Sequence, residues 1–338
     1  MSVRWLLLPL VLVLVVAPTQ SQEPKKSLGT IDRLDPKFDR LIAKDAVLEV
    51  LVDGHDWVEG PVWVKDGGYL LFSDIPRNSV LKWEAGKGES LFLKPSGYEG
   101  SRTDFVEPGS NGLILDPKGN LVLCEHGDRR VSRVDLASKK KTVLADKTPE
   151  GKRFNSPNDG TYKSNGDLYF TDPPYGRMVK DKKGEFPDRD LDYCGVWRLG
   201  TDGKLTLLTK EMTRPNGLAF SPDEKTLYVA NSDPDLAIWK AFPVKADGTL
   251  GESKLFFDAT KSVGKVKGLP DGLKVDKNGN LFATGPGGVL VFSPEGKHLG
   301  TINTGVPTSN CAWGEDGSVL YVTADKALCR IKTLTKSK

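Results

Sequence analysis

Six polar side chains recur at the start of similar sequence segments, and their types point to metal chemistry. Each comes before an alternating apolar run, as in EGPVWV, NGLILD and NGLAFS. All six carry side-chain oxygens and none is basic: Glu59, Asn111, Asn158, Asn216, Asp271 and Asn310. Carboxylate and amide oxygens are the ligands that Ca²⁺ and similar hard cations prefer in proteins. Brought together, these side chains would form a site for one divalent cation.

The spacing of these six residues indicates how they meet. Subtraction of their residue numbers gives separations of 52, 47, 58, 55 and 39 residues, which is the period of a four-stranded propeller blade. The first strand of each blade lines the central channel, so equivalent positions converge on the axis. A single Asn or Asp is as readily explained by an Asx-turn that opens a strand. Six in register favour a site, because Glu59 cannot form an Asx-turn.

The rest of the chain agrees with an all-β fold. Turns such as DPKGN, KSNGD and DKNGN join the first apolar run to the second in successive copies, and long helical patterns are nearly absent. We therefore predict a six-bladed β-propeller with four-stranded antiparallel blades over residues 45–334, followed by a short tail at 335–338. The last copy lacks an outer strand. We expect residues 46–52 (AVLEVLV) to supply it and to close the ring.

Two other segments do not follow the repeat. Residues 32–43 (DRLDPKFDRLIA) are typical of a short helix or turn, which we expect on the outside of the propeller. Residues 177–193 interrupt the third copy with a charged sequence that has no apolar period. We expect this insertion to be a surface loop near one mouth of the channel.

The first 21 residues have the anatomy of a secretory signal peptide. Arg4 precedes an unbroken apolar run at residues 5–16, which is short for a membrane span, and polar residues follow. We expect cleavage before Gln22, which leaves an N-terminal extension at residues 22–44. An uncleaved membrane anchor is the alternative. The predicted location is therefore the periplasm or the medium, without membrane attachment after cleavage.

Charge and cysteine content narrow the class of partner. The chain has 48 Lys and Arg against 45 Asp and Glu, a balance that gives no electrostatic case for nucleic acid. Its four cysteines are too few for a disulfide scaffold and match no zinc spacing, so we expect buried thiols. We predict a monomer or weak dimer that acts on a small molecule.

An ordered set of segments resembles one known family. The segments are EGPVW, CEHGDRRVSRVD, RFNSPND, YFTDPPYG, RPNGLAFSPDEKTLYVAN, LPDGLKVD and GNLFATGPGGVLVFSPEGKHLG. Together they are similar to the SMP-30/gluconolactonase/LRE-like family, over roughly residues 45–334. The resemblance implies a six-bladed propeller with one divalent cation, usually Ca²⁺ and sometimes Zn²⁺ or Mn²⁺. It also implies hydrolysis of a lactone or a related ester.

The resemblance assigns roles to individual residues. The family's metal-binding Glu matches Glu59, the Asn of its PNG motif matches Asn216, and the Asp of its PDG motif matches Asp271. In the family this Asp is also the catalytic acid/base. Asn158 matches an Asn that touches metal or substrate. Animal members carry RFNDG where this chain has RFNSPNDG, so the displaced Arg153 does not inherit their substrate-binding role.

Several further residues are candidates for the pocket. Asn111 and Asn310 depend mainly on repeat register and are predicted either to face substrate or to support the metal ligands from behind. His126 in CEHGD and Tyr175 in DPPYG are predicted to contact substrate, and Asp172 is a candidate neighbour. For these three, a packing or turn role is equally open. The other histidines, His55 and His298, are expected at the surface or in turns: neither lies in a catalytic motif.

The combined hypothesis is an exported, metal-dependent hydrolase of sugar-acid lactones. The cation would act as a Lewis acid, and Asp271 would activate water or attack as a nucleophile. Ser-His-Asp catalysis is unsupported, because the chain has no GxSxG motif. One alternative is an arylesterase or phosphotriesterase-like hydrolase on the same scaffold. The other is a propeller that only binds a ligand.

Overall fold

The computed structural model describes residues 1–2, 26–181 and 184–337. The predicted signal peptide and its cleavage site lie outside the described residues, except for Met1 and Ser2. None of the described helices is long and apolar enough to cross a membrane. Helix in these ranges is limited to three short 3-10 segments: Pro36–Arg40, Tyr175–Arg177 and Thr260–Ser262.

The described chain is otherwise built from β-strands. Two strands precede the first blade: β1 (Thr30–Arg33) and β2 (Glu49–Val52). Blade 1 contains β3 (Val58–Val64), β4 (Tyr69–Asp74), β5 (Ser79–Glu84) and β6 (Gly88–Leu93). Blade 2 contains β7 (Ser110–Leu115), β8 (Leu121–Glu125), β9 (Arg130–Val134) and β10 (Lys141–Ala145). Blade 3 contains β11 (Gly160–Tyr162), β12 (Leu168–Asp172), β13 (Gly195–Leu199) and β14 (Leu205–Thr209).

The second half of the chain repeats this arrangement. Blade 4 contains β15 (Pro215–Phe220), β16 (Thr226–Asp233), β17 (Leu236–Pro243) and β18 (Lys254–Asp258). Blade 5 contains β19 (Leu273–Val275), β20 (Leu281–Gly285), β21 (Gly288–Phe292) and β22 (His298–Asn303). Blade 6 contains β23 (Thr308–Gly314), β24 (Val319–Ala324) and β25 (Ala327–Lys332).

Each sheet is antiparallel, and its strands follow chain order from the axis outward, except that β1 and β2 are the outermost strands of blades 5 and 6. The order is β3-β4-β5-β6 in blade 1, and blades 2, 3 and 4 repeat it. Burial decreases along this order: β15 is buried throughout, whereas β18 is exposed or half-buried. The first strands also contact one another, with β3 lying between β23 and β7. The prediction of a six-bladed propeller with four-stranded antiparallel blades is confirmed.

The N-terminal segment closes the ring. β2 pairs with β25, so that Glu49 lies opposite Arg330 and Val50 lies opposite Cys329. The Arg330 guanidinium donates to the Glu49 carboxylate over 3.0 Å. The predicted closure by residues 46–52 is therefore confirmed, and it gives blade 6 the outer strand that the C-terminal sequence lacks.

The chain before β2 is packed into the fold more deeply than we predicted. β1 pairs with β22 and gives blade 5 a fifth strand, with Ile31 opposite Ile302. The Pro36–Arg40 helix forms where a helix or turn was expected, and the Asp35 carboxylate accepts a hydrogen bond from the Lys37 amide over 2.8 Å. Phe38 on this helix is fully buried among core residues of blades 5 and 6.

The insertion in blade 3 is also partly buried, which corrects the expectation of a simple surface loop. Leu191 is only 2% exposed and packs into the cluster around Trp197. Arg177 is buried with its guanidinium over the Phe105 ring, 4.5 Å from the centroid. Val179 forms a β-bridge with Phe105. A few scattered apolar residues anchor the loop, and such anchors leave no period in the sequence.

Apolar clusters fill the spaces between blades. Trp197 and Trp239 are almost fully buried in them. Across the ring closure, Trp63 of blade 1 stacks on Tyr321 of blade 6 with centroids 5.6 Å apart. The four cysteines are free and buried, as expected. His55 was expected near the surface, but it is 5% exposed.

Candidate functional site

Five of the six predicted ring residues line one cavity, which has a volume of about 610 Å³. It lies at the end of the channel where the inner strands begin. The five residues come from five different blades: Glu59, Asn111, Asn158, Asn216 and Asp271. The repeat register therefore brings these side chains together as the sequence predicted, although their individual roles remain predictions.

Irregular pairing in the inner strands aims the ring residues at the axis. The register between first and second strand shifts beside the ring residue in four blades, at Glu59/Val62, Ser110/Leu113, Pro215/Leu218 and Thr308/Asn310. Such β-bulges re-aim side chains and are common next to functional sites. In blades 3 and 5 the regular ladder instead begins two residues after the ring residue, at Gly160 and Leu273.

Glycines after the ring residues let neighbouring inner strands approach closely. A Cβ atom on Gly112 would lie 2.6 Å from the Asn158 carbonyl oxygen, and one on Gly217 would lie 2.4 Å from that of Asp271. Both distances are too short for a side chain. The Gly112 amide instead donates to the Asn158 carbonyl over 2.7 Å. This backbone contact narrows the channel and fixes the floor of the cavity.

Four buried oxygens in this cavity have no hydrogen-bond partner. They are the Oδ1 atoms of Asn111, Asn158, Asn216 and Asp271. A buried oxygen without a partner is costly, and native proteins seldom leave one unsatisfied. Four such atoms on the wall of one cavity indicate that a bound species completes their interactions.

The two carboxyl groups of the ring disfavour each other's ionisation. Burial, and then the charge of nearby Asp159, raises the pKa of Glu59 to about 8. Burial, and then the charge of Glu59, raises the pKa of Asp271 well above its usual range. Desolvated carboxyls with the same charge are difficult to ionise together unless a positive charge lies between them.

Asn310 occupies a different position from the other ring residues. Its side-chain amide donates to the Glu59 carboxylate over 3.0 Å and to the Asp159 carboxylate over 3.2 Å. Asn310 is not among the residues that line the cavity. Asn310 therefore bridges two carboxylates, one from blade 1 and one from blade 3, and of its two predicted roles this position agrees with the supporting one.

Asp159 is a residue of the site that the sequence analysis missed. It is 3% exposed, and burial raises the pKa of its carboxyl group. A signal was present in the repeat: the residue after the ring position is Gly in four copies, but it is Asp159 in the third. An acidic side chain at a position otherwise kept small would have identified it.

The donor set suits a hard divalent cation. The side chains from Glu59, Asn158, Asn216 and Asp271 offer oxygens only, and Asn111 adds a fifth of the same kind. Among the described residues, no group of three or more His, Cys, Asp or Glu side chains is arranged to hold a metal ion. A cation here would depend on amide oxygens, which suit Ca²⁺ better than Zn²⁺.

Two of the remaining candidates lie at or behind the cavity wall. Tyr175 lines the cavity, and its hydroxyl donates to the Ser232 carbonyl over 2.9 Å. Asp172 is fully buried and supports the segment that carries Asn158, because its carboxylate accepts the amides of Asn155 and Ser156, each over 2.8 Å. His126 is considered below, since it is fully buried and does not reach the cavity surface.

The cavity mouth is lined by loops between blades. The loop that follows the third 3-10 helix supplies Val263, Lys265, Val266 and Lys267, and Trp57 faces it. Apolar side chains, among them Trp57, Val263, Val266 and Leu269, thus share the wall with two lysines above the polar floor, and such mixed linings occur in sites that bind small molecules.

Comparison with known proteins identifies the family. The family model described as SMP-30/Gluconolactonase/LRE-like region matches residues 57–326. The chain belongs to this family. Within the SMP-30/gluconolactonase/LRE-like family, a gluconolactonase from Zymomonas mobilis is 41% identical over 320 residues, which cover 91% of this chain and 87% of that protein.

Other similar proteins support the same family and fold. A pentonolactonase from Haloferax volcanii is 27% identical over 279 residues, covering 78% of this chain and 80% of that protein. The structure of a gluconolactonase from Xanthomonas campestris has a TM-score of 0.79 at 31% identity, covering 93% of this chain and 99% of that one. Regucalcin from Agrobacterium tumefaciens, described as a calcium-binding protein, shares the fold with a TM-score of 0.65 at 20% identity, covering 86% and 94% of the two chains.

Proposed function

We propose that this protein hydrolyses sugar-acid lactones with one divalent cation, Ca²⁺, held in the cavity. The observation that carries the proposal is the meeting of four unpaired buried oxygens with the Glu59 carboxyl group in one small-molecule cavity. The lactone substrate class is supported by the family and by relatives named gluconolactonase and pentonolactonase. The cation is supported by the chemistry of the oxygens.

We assign different roles to the residues of the cavity floor. Glu59, Asn158, Asn216 and Asp271 would hold the cation, which when bound supplies Lewis-acid polarisation of the lactone carbonyl. Asn111 presents a further unpaired oxygen to the same space. Asn310 keeps the Glu59 carboxylate in place through its 3.0 Å hydrogen bond. These side chains are fixed before substrate arrives, so little reorganisation accompanies the reaction.

Asp271 is the group that we assign to proton transfer. Its Oδ1 atom has no hydrogen-bond partner in the cavity, so in its ionised form Asp271 can accept a proton from an attacking water. The water oxygen then bonds to the lactone carbonyl carbon, the ring C–O bond breaks, and the leaving oxygen takes up a proton. The products are a hydroxyl group and a carboxylic acid, which balances the addition of one water molecule.

We also propose that the protein works outside the cytoplasm. The support is the sequence of residues 1–21, in which Arg4 precedes an apolar run and polar residues follow. Mass spectrometry of the N terminus, on protein recovered from the periplasm or medium, tests this proposal. A mature chain that begins near Gln22 supports export, whereas a full-length chain confined to the cytoplasm contradicts it.

Replacement of the proposed base tests the enzymatic assignment. Asp271→Asn keeps the shape of the side chain but removes its ability to accept a proton. We expect kcat/KM for glucono-δ-lactone to fall by roughly 10²- to 10⁴-fold. The measurement is acid release in a pH-stat, corrected for spontaneous hydrolysis.

The matched control is Asp66→Asn, because Asp66 is exposed in a turn outside the cavity. This variant should retain the wild-type rate. Lactone hydrolysis that survives in Asp271→Asn would contradict the role of Asp271. A wild-type enzyme that cleaves aryl esters or phosphotriesters but no lactone would favour the alternative hydrolase.

A further inference from the structure

Glu107 is an acidic residue of the cavity wall that the repeat did not reveal. It lies on the connection between β6 and β7, outside the ring positions, and lines the same cavity as Glu59 and Asp271. Its side chain is 23% exposed, and burial raises the pKa of its carboxyl group to about 7. The proton transfer assigned to Asp271 does not require this second carboxyl group.

His126 lies directly behind Glu107. Its ring is fully buried, and Nδ1 is 3.6 Å from Oε2 of Glu107. Neither ring nitrogen has a hydrogen-bond partner among the described residues. Burial, together with the charge of Arg177, lowers the pKa of His126 to about 3, so the ring is neutral. A neutral imidazole still carries one N–H group, and within the part of the chain that the structure describes Glu107 has the only carboxylate within 4 Å of its Nδ1 atom.

The backbone holds the two residues in this arrangement. The His126 amide donates to the Gly109 carbonyl, and the Gly127 amide donates to the Pro108 carbonyl, each over 3.1 Å. The segments that carry Glu107 and His126 are thus tied together on adjacent residues. Gly176 closes the other side, since a Cβ atom there would lie 2.4 Å from the His126 Cβ. Gly176 is therefore packed against the His126 side chain, where a larger residue would clash.

We propose that Glu107 binds hydroxyl groups of the substrate and that His126 is the residue that positions it. This inference rests on the proposed function and specifies its substrate class as polyhydroxylated lactones. A carboxylate accepts hydrogen bonds from two neighbouring hydroxyls, and the imidazole lies 3.6 Å behind one of its oxygens, where a small shift of the carboxylate would bring the N–H into hydrogen-bond contact. A lactone without hydroxyls leaves the carboxylate desolvated and unpaired, so such a lactone is disfavoured.

The test compares two lactones with the same ring and different hydroxyl content, glucono-δ-lactone and δ-valerolactone. In Glu107→Ala we expect kcat/KM for glucono-δ-lactone to fall about 10- to 100-fold, whereas kcat/KM for δ-valerolactone should rise about 3- to 10-fold, because this lactone no longer leaves a carboxylate desolvated and unpaired. Glu107→Gln keeps an acceptor and should lose less. Glu252→Gln is the matched control, because Glu252 is exposed and distant from the cavity lining.

His126 is tested by a pair of variants. His126→Leu removes the ring nitrogens but no formed hydrogen bond of the side chain, so it should fold, and it should show the same substrate-selective loss as Glu107→Ala. His126→Asn keeps a donor near the Nδ1 position and should restore selectivity. In the double variant with Glu107→Ala, His126→Leu should have no additional effect. Additive losses, or equal losses on both lactones, would overturn the proposal.

Calorimetric binding of D-gluconate and 5-hydroxypentanoate separates this inference from the proposed function, because it requires no turnover. If the wild-type protein hydrolyses neither lactone, the proposed function fails. Selective loss of D-gluconate affinity in Glu107→Ala would still support hydroxyl binding. If the wild-type protein binds neither compound, or if Glu107→Ala binds D-gluconate as tightly as the wild type, the role of Glu107 is refuted.

Discussion

At the residue scale, the cavity floor holds several buried acidic side chains close together, and hydrogen bonds from neighbouring groups partly offset their repulsion. Three carboxyl groups, those of Glu59, Asp159 and Asp271, are close enough to perturb one another. The Asn310 side-chain amide donates hydrogen bonds to two of these groups, those of Glu59 and Asp159. Without a cation this arrangement costs stability, and the cation proposed above would offset that cost. Evolution of a functional site commonly accepts such local cost.

Glu59→Gln tests this balance. The pKa of Glu59 rises from 4.5 to about 8 on folding, so the folded state holds its proton over a range in which the unfolded state loses it. The stability of the cation-free protein should therefore fall as pH rises from about 4.5 to about 8. The Gln variant cannot ionise, and its melting temperature in EDTA at pH 8 should exceed the wild-type value by at least about 2 °C.

Addition of Ca²⁺ at pH 8 should make the wild type more stable than Glu59→Gln. The Glu59 carboxylate of the wild type gains a cationic partner, whereas the neutral amide of the variant does not. The measurement is the melting temperature at pH 5 and pH 8, in EDTA and in Ca²⁺. A variant that is less stable than the wild type in EDTA at pH 8, yet responds to Ca²⁺ to the same extent, would contradict this reading of the site.

Individual residues also show where sequence reasoning stops. Glu59, Asn216 and Asp271 were predictable because repeat register and family motif point to the same positions. Glu107 and His55 were not, because both lie in connections where no period marks burial. His55 is held between Asp74 and Glu89, whose oxygens lie 3.2 and 2.8 Å from its ring nitrogens. Such contacts depend on tertiary structure alone.

At the element scale, the inner strands determine the geometry of the site. The period of the repeat predicted these strands, but not the bulges that begin them. A bulge changes which face a residue occupies, and the alternation of apolar residues starts only after it. The sequence therefore predicted that Glu59, Asn111 and Asn216 meet at the axis. It left open whether Asn310 faces substrate or supports the ring, and the structure shows that Asn310 bridges Glu59 and Asp159.

The sequence analysis underestimated how deeply the N-terminal elements are packed into the propeller, for a related reason. β1 and the Pro36–Arg40 helix are short, and their buried residues are too few to produce a period. Phe38→Ala tests their importance, since this side chain is fully buried. We expect a loss of about 3–5 kcal/mol in the free energy of unfolding, measured by denaturant titration.

Leu34→Ala provides the comparison, because Leu34 is 63% exposed a few residues away. Its effect should lie within about 0.5 kcal/mol of zero. If Phe38→Ala were equally mild, the extension would be a peripheral attachment, and its contact with blades 5 and 6 would not contribute to the stability of the propeller.

At the scale of the whole molecule, closure of the ring and assembly of the site are linked. Asn310 of blade 6 contacts Glu59 of blade 1, and β2 holds blade 6 in place. The polar floor collects residues that are up to 251 positions apart in the chain. Such a site forms only when the propeller is complete, so binding of a cation in the cavity should stabilise the whole fold.

The central claim is that lactone hydrolysis depends on a cation held by the cavity oxygens. The most direct measurement is the initial rate of glucono-δ-lactone hydrolysis by wild-type protein freed of metal with EDTA, dialysed, and then titrated with Ca²⁺. We predict that the enzymatic rate is lost on chelation and returns to its starting value with one Ca²⁺ per chain. An undiminished rate in the metal-free protein would contradict the claim.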